Sequence, residues 1–155
     1  MIAIQCADAS SRGPANPAAM TSSKIIPIRV SAKCILIADD NPTVRSALRL
    51  FIENCTSMRV CEARNGTQAV EQAEAEKPDV AIIDLVMPSM NGLEVASAIR
   101  SRLPKVRIVV FTLHSDVIGG ALAKAIGVDI VVAKSEGAFG LIKALETLWT
   151  ENAPS

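Results

Sequence analysis

Apolar residues in this chain recur in two rhythms. Short stretches with an apolar centre run over Cys34–Ala38, Met58–Ala63, Val80–Ile83, Val106–Phe111 and Asp129–Lys134. Most do not alternate with polar residues, which is the pattern of strands buried on both faces of a parallel sheet. Between them, apolar residues return every three or four positions, as on one side of a helix. Val44, Ala47, Leu48, Phe51 and Ile52 do so from Pro42 to about Asn54, and Leu93, Val95, Ala96 and Ile99 do so up to Arg102. Further helices are expected over about Thr67–Lys77, Ser115–Ile126 and Ala138–Trp149. Asn41 is a natural N-cap and Pro42 suits a first helical position. Pro78 and Pro104 close helices, while Gly119-Gly120 weakens one. Five strands alternating with five helices predict an α/β fold: a doubly wound five-stranded parallel sheet. Residues 1–32 show no period and are rich in Ala, Ser, Pro and Asn, so they read as a disordered extension before an ordered domain over 33–152.

The polar residues fall at informative places. Asp39-Asp40 follow the first strand, Asp84 ends the third, Thr112 the fourth and Lys134 the fifth. All carboxyl ends of a parallel sheet lie along one edge, where open α/β sheets bind ligands. One acid after a strand is usually a loop residue or a cap. Five in register are a site. Three clustered carboxylates repel one another and would take up protons unless a cation neutralises them. No thiolate or imidazole set is at hand, so a hard cation with oxygen ligands is expected, and Mg²⁺ fits. A carboxylate in such a place can attack phosphorus and form an aspartyl-phosphate. An ammonium and a hydroxyl suit the oxygens of the transferred group.

Composition narrows the rest. Sixteen basic and sixteen acidic residues balance, which argues against nucleic acid or an anionic membrane surface as partner. Aromatics are only 3% with no Tyr, so the core must be aliphatic. Cys6, Cys34, Cys55 and Cys61 form no C-x-x-C pair and are expected as reduced thiols of a cytoplasmic protein. No apolar run approaches the roughly 18 residues of a membrane span, and the N-terminus lacks signal-peptide features.

From about Lys33 to Glu151 the chain resembles the receiver domains of bacterial two-component response regulators. The resemblance rests on Asp39-Asp40, on Asp84 followed by Met87-Pro88 and Gly92, on Thr112 and on Lys134. It implies that Asp84 is the phospho-acceptor. It also implies that Asp40 and Asp84 contact Mg²⁺ directly, Asp39 largely through water, and Val86 through its backbone carbonyl. Lys134 would pair with the phosphoryl group and Thr112 would shift toward it. The donor would be a histidine kinase or a phosphotransfer protein, and the protein would catalyse only its own phosphorylation and dephosphorylation. Thr112-Leu113-His114 and Lys134-Ser135 most resemble receivers joined to LuxR-type helix-turn-helix domains. The few residues after Trp149 are too few for such a module, so a stand-alone receiver is expected. Its message would then reach a separate effector, or a second copy, through the helix 115–126, the strand 130–133 and the last helix.

Three departures from the family pattern matter. Ser135 stands where many receivers have Pro after the Lys, so a cis bond there would be costly. Val131 and Val132 stand where an aromatic residue is usual. No output domain is expected after the receiver. Other readings fit less well. A Mg²⁺-dependent aspartyl-phosphate phosphatase of the haloacid-dehalogenase type needs an acid two residues after its nucleophile, where this chain has Val86. A flavodoxin-like electron carrier needs a phosphate-cradling loop after the first strand, where Asp39-Asp40-Asn41-Pro42-Thr43 would repel phosphate. A degenerate receiver used only for docking would not need a full acceptor set.

Overall fold

The computed structural model describes residues 34–151. The expectations for the extension 1–32 lie outside them. Five parallel strands form one sheet: β1 (Cys34–Ala38), β2 (Arg59–Ala63), β3 (Val80–Ile83), β4 (Arg107–Thr112) and β5 (Ile130–Ala133), in the order β2-β1-β3-β4-β5. Five helices connect and follow them: α1 (Pro42–Cys55), α2 (Gly66–Glu76), α3 (Gly92–Arg102), α4 (Gly120–Ile126) and α5 (Gly137–Glu151). Short 3-10 turns at Ser115–Val117 and Lys134–Glu136 precede α4 and α5. The doubly wound α/β fold expected from the apolar rhythm is the fold observed.

The period of two along each strand divides the core in two. Leu36, Ala38, Ala81, Ile83, Ile108 and Val110 face one layer, packed against Ala69 and Ala73 of α2, Val95 and Ile99 of α3 and Ala123 of α4. Ile35, Ile37, Val80, Ile82, Val109 and Phe111 face the other, packed against Leu48 and Ile52 of α1 and Leu141, Leu145 and Leu148 of α5. Phe51 and Phe139 meet edge to face at 6.3 Å, fastening α1 to α5. The body is aliphatic, as the scarcity of aromatics requires.

Three consecutive helices start in the same way. Asn41, Asn65 and Asn91 each accept backbone N–H groups of the first turn of α1, α2 and α3, and Glu94 completes a capping box with Asn91. These caps fix where each helix leaves the carboxyl end of its strand. The sheet order reverses between β1 and β3, which places the ends of those two strands side by side at the crevice.

Two sequence expectations change. The helix expected over 115–126 is not continuous. A 3-10 turn covers Ser115–Val117, the chain is extended at Ile118 and Gly119, and α4 begins only at Gly120. The paired glycines, poor helix formers, sit at the break. Ile118 is buried there, whereas Val117 is 68% and Leu122 49% exposed, so the apolar excess is split between core and surface. Among the cysteines, Cys34 and Cys61 are free and buried with their sulfurs 3.5 Å apart, but Cys55 is disulfide-bonded rather than reduced. All peptide bonds among the described residues are trans, Lys134–Ser135 included. No helix among these residues is long and apolar enough to cross a membrane.

Candidate functional site

β1 and β3 deliver the acids. Strand pairing ends at Ala38 and Ile83, and the next residues, Asp39 and Asp84, still hydrogen-bond to neighbouring strands through their N–H groups. Asp39 donates to the Ala63 carbonyl at 3.1 Å and Asp84 to the Ala38 carbonyl at 2.9 Å. Both side chains are therefore carried on rigid backbone and are buried, at 2% and 7% exposure, while Asp40 is exposed. One carboxylate oxygen from each of Asp39, Asp40 and Asp84 lies within 4.8 Å of the others.

Lys134, from the end of β5, reaches over these acids. Its Nζ donates to Asp39 Oδ2 at 2.6 Å and to Asp84 Oδ2 at 3.2 Å. The four residues line a cavity of about 230 Å³ together with Asn41, Val86, Leu113 and His114. Thr112 does not line it. Its side chain is fully buried, and its hydroxyl accepts the His114 N–H at 3.1 Å. Of the residues singled out in the sequence, Asp39, Asp40, Asp84, Val86 and Lys134 thus meet at one cavity, with Thr112 behind the wall.

Electrostatics follow from this crowding. Burial raises the Asp84 pKa, and the neighbouring Asp39 charge adds to the rise. The Lys134 ammonium and the Val86 N–H act against it without cancelling it. Burial pulls the Lys134 pKa down, but its bonds to Asp39 and Asp84 outweigh that and the net shift is upward. One ammonium against three carboxylates leaves two negative charges uncompensated when all are ionised. An all-oxygen donor set with that residual charge fits a hard divalent cation such as Mg²⁺, which binds through one or two carboxylates and keeps several waters.

The loop after Asp84 is held by close backbone contact. Gly92 donates to the Leu85 carbonyl at 2.7 Å, and Gly66 of α2 donates to the Pro88 carbonyl at 3.3 Å. A side chain on Gly92 would meet the Asp84 carbonyl oxygen at 2.3 Å. Two further contacts hold Asp39, one from Asn41, singled out in the sequence only as a helix cap, and one from Arg45, which was not singled out. Asn41 donates its N–H to Asp39 Oδ1 at 2.9 Å, and Arg45 donates Nη1 to the Asp39 carbonyl at 2.7 Å. Each of these bonds involves a backbone group, so the pattern of side chains carries no signal for either.

Fold and site together define an α/β module with an acidic, cation-type pocket at its topological switch point. Residues 35–146 match the model of the response regulator receiver domain, and the chain belongs to that family. It is 38% identical over 114 residues to the nitrate/nitrite response regulator protein NarL of Escherichia coli, covering 72% of this chain and 52% of that one. It is 33% identical over 112 residues to the DNA-binding transcriptional activator EvgA of the same species, covering 72% and 54%. The chain thus spans about half the length of the curated relatives it matches. Among solved structures, a two-component response regulator of the LuxR family from Aurantimonas sp. is 30% identical with a TM-score of 0.70, covering 78% of this chain and 87% of that one. The response regulator TrrA of Thermotoga maritima, solved in complex with Mg²⁺-BeF, is 29% identical with a TM-score of 0.68, covering 75% and 98%. Receiver domains are signalling modules of two-component systems and generally bind Mg²⁺.

Proposed function

We propose that this protein takes a phosphoryl group onto Asp84 from a histidine kinase or a phosphotransfer protein, and signals through an altered surface. The observation that carries the reading is the buried Asp84, grouped with Asp39 and Asp40 within 4.8 Å and contacted by the Lys134 ammonium. An Asp84 carboxylate oxygen attacks the donor phosphorus, the bond from phosphorus to the donor nitrogen breaks, and the leaving imidazole takes a proton. Asp40, Asp84 and the Val86 carbonyl would hold Mg²⁺ directly and Asp39 largely through water, and the ion would supply positive charge for the phosphoryl oxygens. Lys134 exchanges its bond to Asp84 for one to a phosphoryl oxygen, and the Thr112 hydroxyl turns from the His114 N–H toward the same group. The protein acts in the cytoplasm and catalyses only the gain and loss of its own phosphoryl group.

The test is incubation with a small phosphodonor such as acetyl phosphate, with and without Mg²⁺, followed by intact mass. One base-labile phosphoryl group that requires Mg²⁺ is expected, and an unmodified protein would overturn the reading.

The receiving surface is that of the Ser115–Val117 turn, α4, β5 and α5, where Val117 and Leu122 stand exposed. A second copy or a separate effector binds it. With Val131 and Val132 in β5, the message travels by a backbone shift from Thr112 into the turn at 115–117, and no aromatic ring swings.

Loss of the phosphoryl group requires water in line with the bond from Asp84 oxygen to phosphorus. Val86 and Leu113 line the cavity, at 56% and 71% exposure, and neither orients a water. Slow self-dephosphorylation is expected. Val86→Asn, which adds a polar arm, and Leu113→Ala, which opens the mouth, should each shorten the half-life of the phosphorylated protein. Unchanged or longer half-lives in both would remove the crowding explanation.

A further inference from the structure

Asp40 is the least supported of the three acids. It is exposed, and no hydrogen bond or ion pair engages its carboxylate among the described residues. Its place depends on the peptide that joins it to Asp39 and on Asn41, the cap of α1. Asp39 itself is held at four points. Its N–H donates to Ala63, its Oδ1 accepts from the Asn41 N–H, and its Oδ2 accepts from Lys134. The fourth is the bond from Arg45 Nη1 to its carbonyl oxygen at 2.7 Å. That carbonyl belongs to the peptide leading into Asp40, so this bond acts directly on the plane that aims Asp40.

Arg45 is suited to the task. Its backbone N–H makes the first helical bond of α1, to the Asn41 carbonyl at 3.0 Å. Its Nε donates to Glu62 Oε1 of β2 at 2.9 Å, and its side chain is only 16% exposed. A planar guanidinium bound through Nε to Glu62 presents Nη1 in a fixed direction, which an ammonium cannot do. Glu62 is itself braced, because Arg49 Nε donates to its other oxygen at 2.5 Å. The guanidinium thus ties β2, α1 and the Asp39–Asp40 peptide into one frame.

We propose that Arg45 is a positioning residue of the acidic pocket, holding the Asp39–Asp40 peptide so that the Asp40 carboxylate faces Asp39 and Asp84. This rests on the reading of the pocket as a Mg²⁺ site. Partners that orient metal ligands commonly cost 10–100-fold in metal affinity when removed. Arg45→Ala is therefore expected to weaken Mg²⁺ binding by roughly tenfold.

The experiment is a Mg²⁺ titration of the unphosphorylated protein, by calorimetry and by the amide NMR signals of residues 39–41. Arg49→Ala is the comparison, because Arg49 shares Glu62 with Arg45 and also reaches the Val60 carbonyl, but not Asp39. It should lose stability while keeping wild-type Mg²⁺ affinity. Arg45→Lys keeps the charge but cannot span Glu62 and the carbonyl together, so its affinity should fall as well, and it decides the matter if Arg45→Ala fails to fold. Wild-type affinity in the Arg45 variants, or an equal loss in Arg49→Ala, would overturn the proposal. A wild-type protein that gives no Mg²⁺ response would overturn the reading of the pocket and this inference with it.

Discussion

Replacing Asp84 by Asn is expected to abolish Mg²⁺-dependent phosphorylation and, without Mg²⁺, to make the protein more stable. The first effect follows from chemistry. The amide is nearly isosteric but has no carboxylate oxygen to attack phosphorus, and Asp84 is the acid that ends β3 beside Lys134. Intact mass after incubation with a small phosphodonor checks it, and undiminished phosphorylation would remove Asp84 as the acceptor. The second effect follows from burial. Asp84 carries a pKa raised by its surroundings, so folding disfavours its charged form. A carboxyl group whose folded pKa lies above its unfolded value contributes stability below the unfolded pKa and loses it as pH rises through the folded one. The advantage of Asp84→Asn should therefore be largest near neutral pH and fade as acid protonates the wild-type side chain. Lys134 keeps its 2.6 Å bond to Asp39 in the variant, so no buried ammonium is left unpaired. A higher Tm than wild type at neutral pH, with the difference closing as the pH falls, is the result to look for. A lower Tm at neutral pH would show that the Lys134–Asp84 pair outweighs the cost of burying the carboxylate.

Gly92→Ala should be the most damaging conservative change near the site. A Cβ there would lie 2.3 Å from the Asp84 carbonyl oxygen and 2.7 Å from Leu85 Cα. Both are backbone atoms, so no side chain can move aside to relieve the overlap. Either α3 retreats and the bond from Gly92 to the Leu85 carbonyl is lost, or the Asp84–Leu85 peptide shifts and takes the acid with it. Overpacking of this kind costs about 3 kcal/mol, which should lower the Tm by on the order of 10 °C. Gly119→Ala is the comparison, because nothing lies within 4 Å of the added carbon. Denaturation midpoints of the two variants check the contrast, and equal values would show that the contact at Gly92 relaxes freely.

What the sequence made legible, it did through the ends of apolar runs. Val80–Ile83 stops at a carboxylate, Cys34–Ala38 stops at two, and parallel pairing brings those ends together by geometry alone. The strand-end rule also found Thr112, but it could not tell that the hydroxyl turns inward to the His114 N–H, because side-chain direction depends on the loop that follows. The break before α4 was hidden for another reason. Val117, Ile118, Ala121 and Leu122 carry a helical rhythm, yet Ile118 is claimed by the core from an extended segment. Arg45 escaped because its partner is a backbone carbonyl, which leaves no trace in a pattern of side chains.

The division of the core into two layers also sets an order of assembly. Apart from β1, the layer beneath α2, α3 and α4 is built from segments that follow one another along the chain, from β2 to α4. The opposite layer joins α1 to α5, the first and last helices, through Ile52, Leu141, Leu145 and the Phe51–Phe139 contact. Closing it brings together segments from opposite ends of the domain, and such long loops are entropically costly before their contacts form. The α2–α3–α4 side should thus condense first and the α1–α5 side last. The last part to close includes α5, whereas α4 belongs to the side that condenses first, so the surface proposed to carry the signal is a seam between an early-formed helix and a late-formed one.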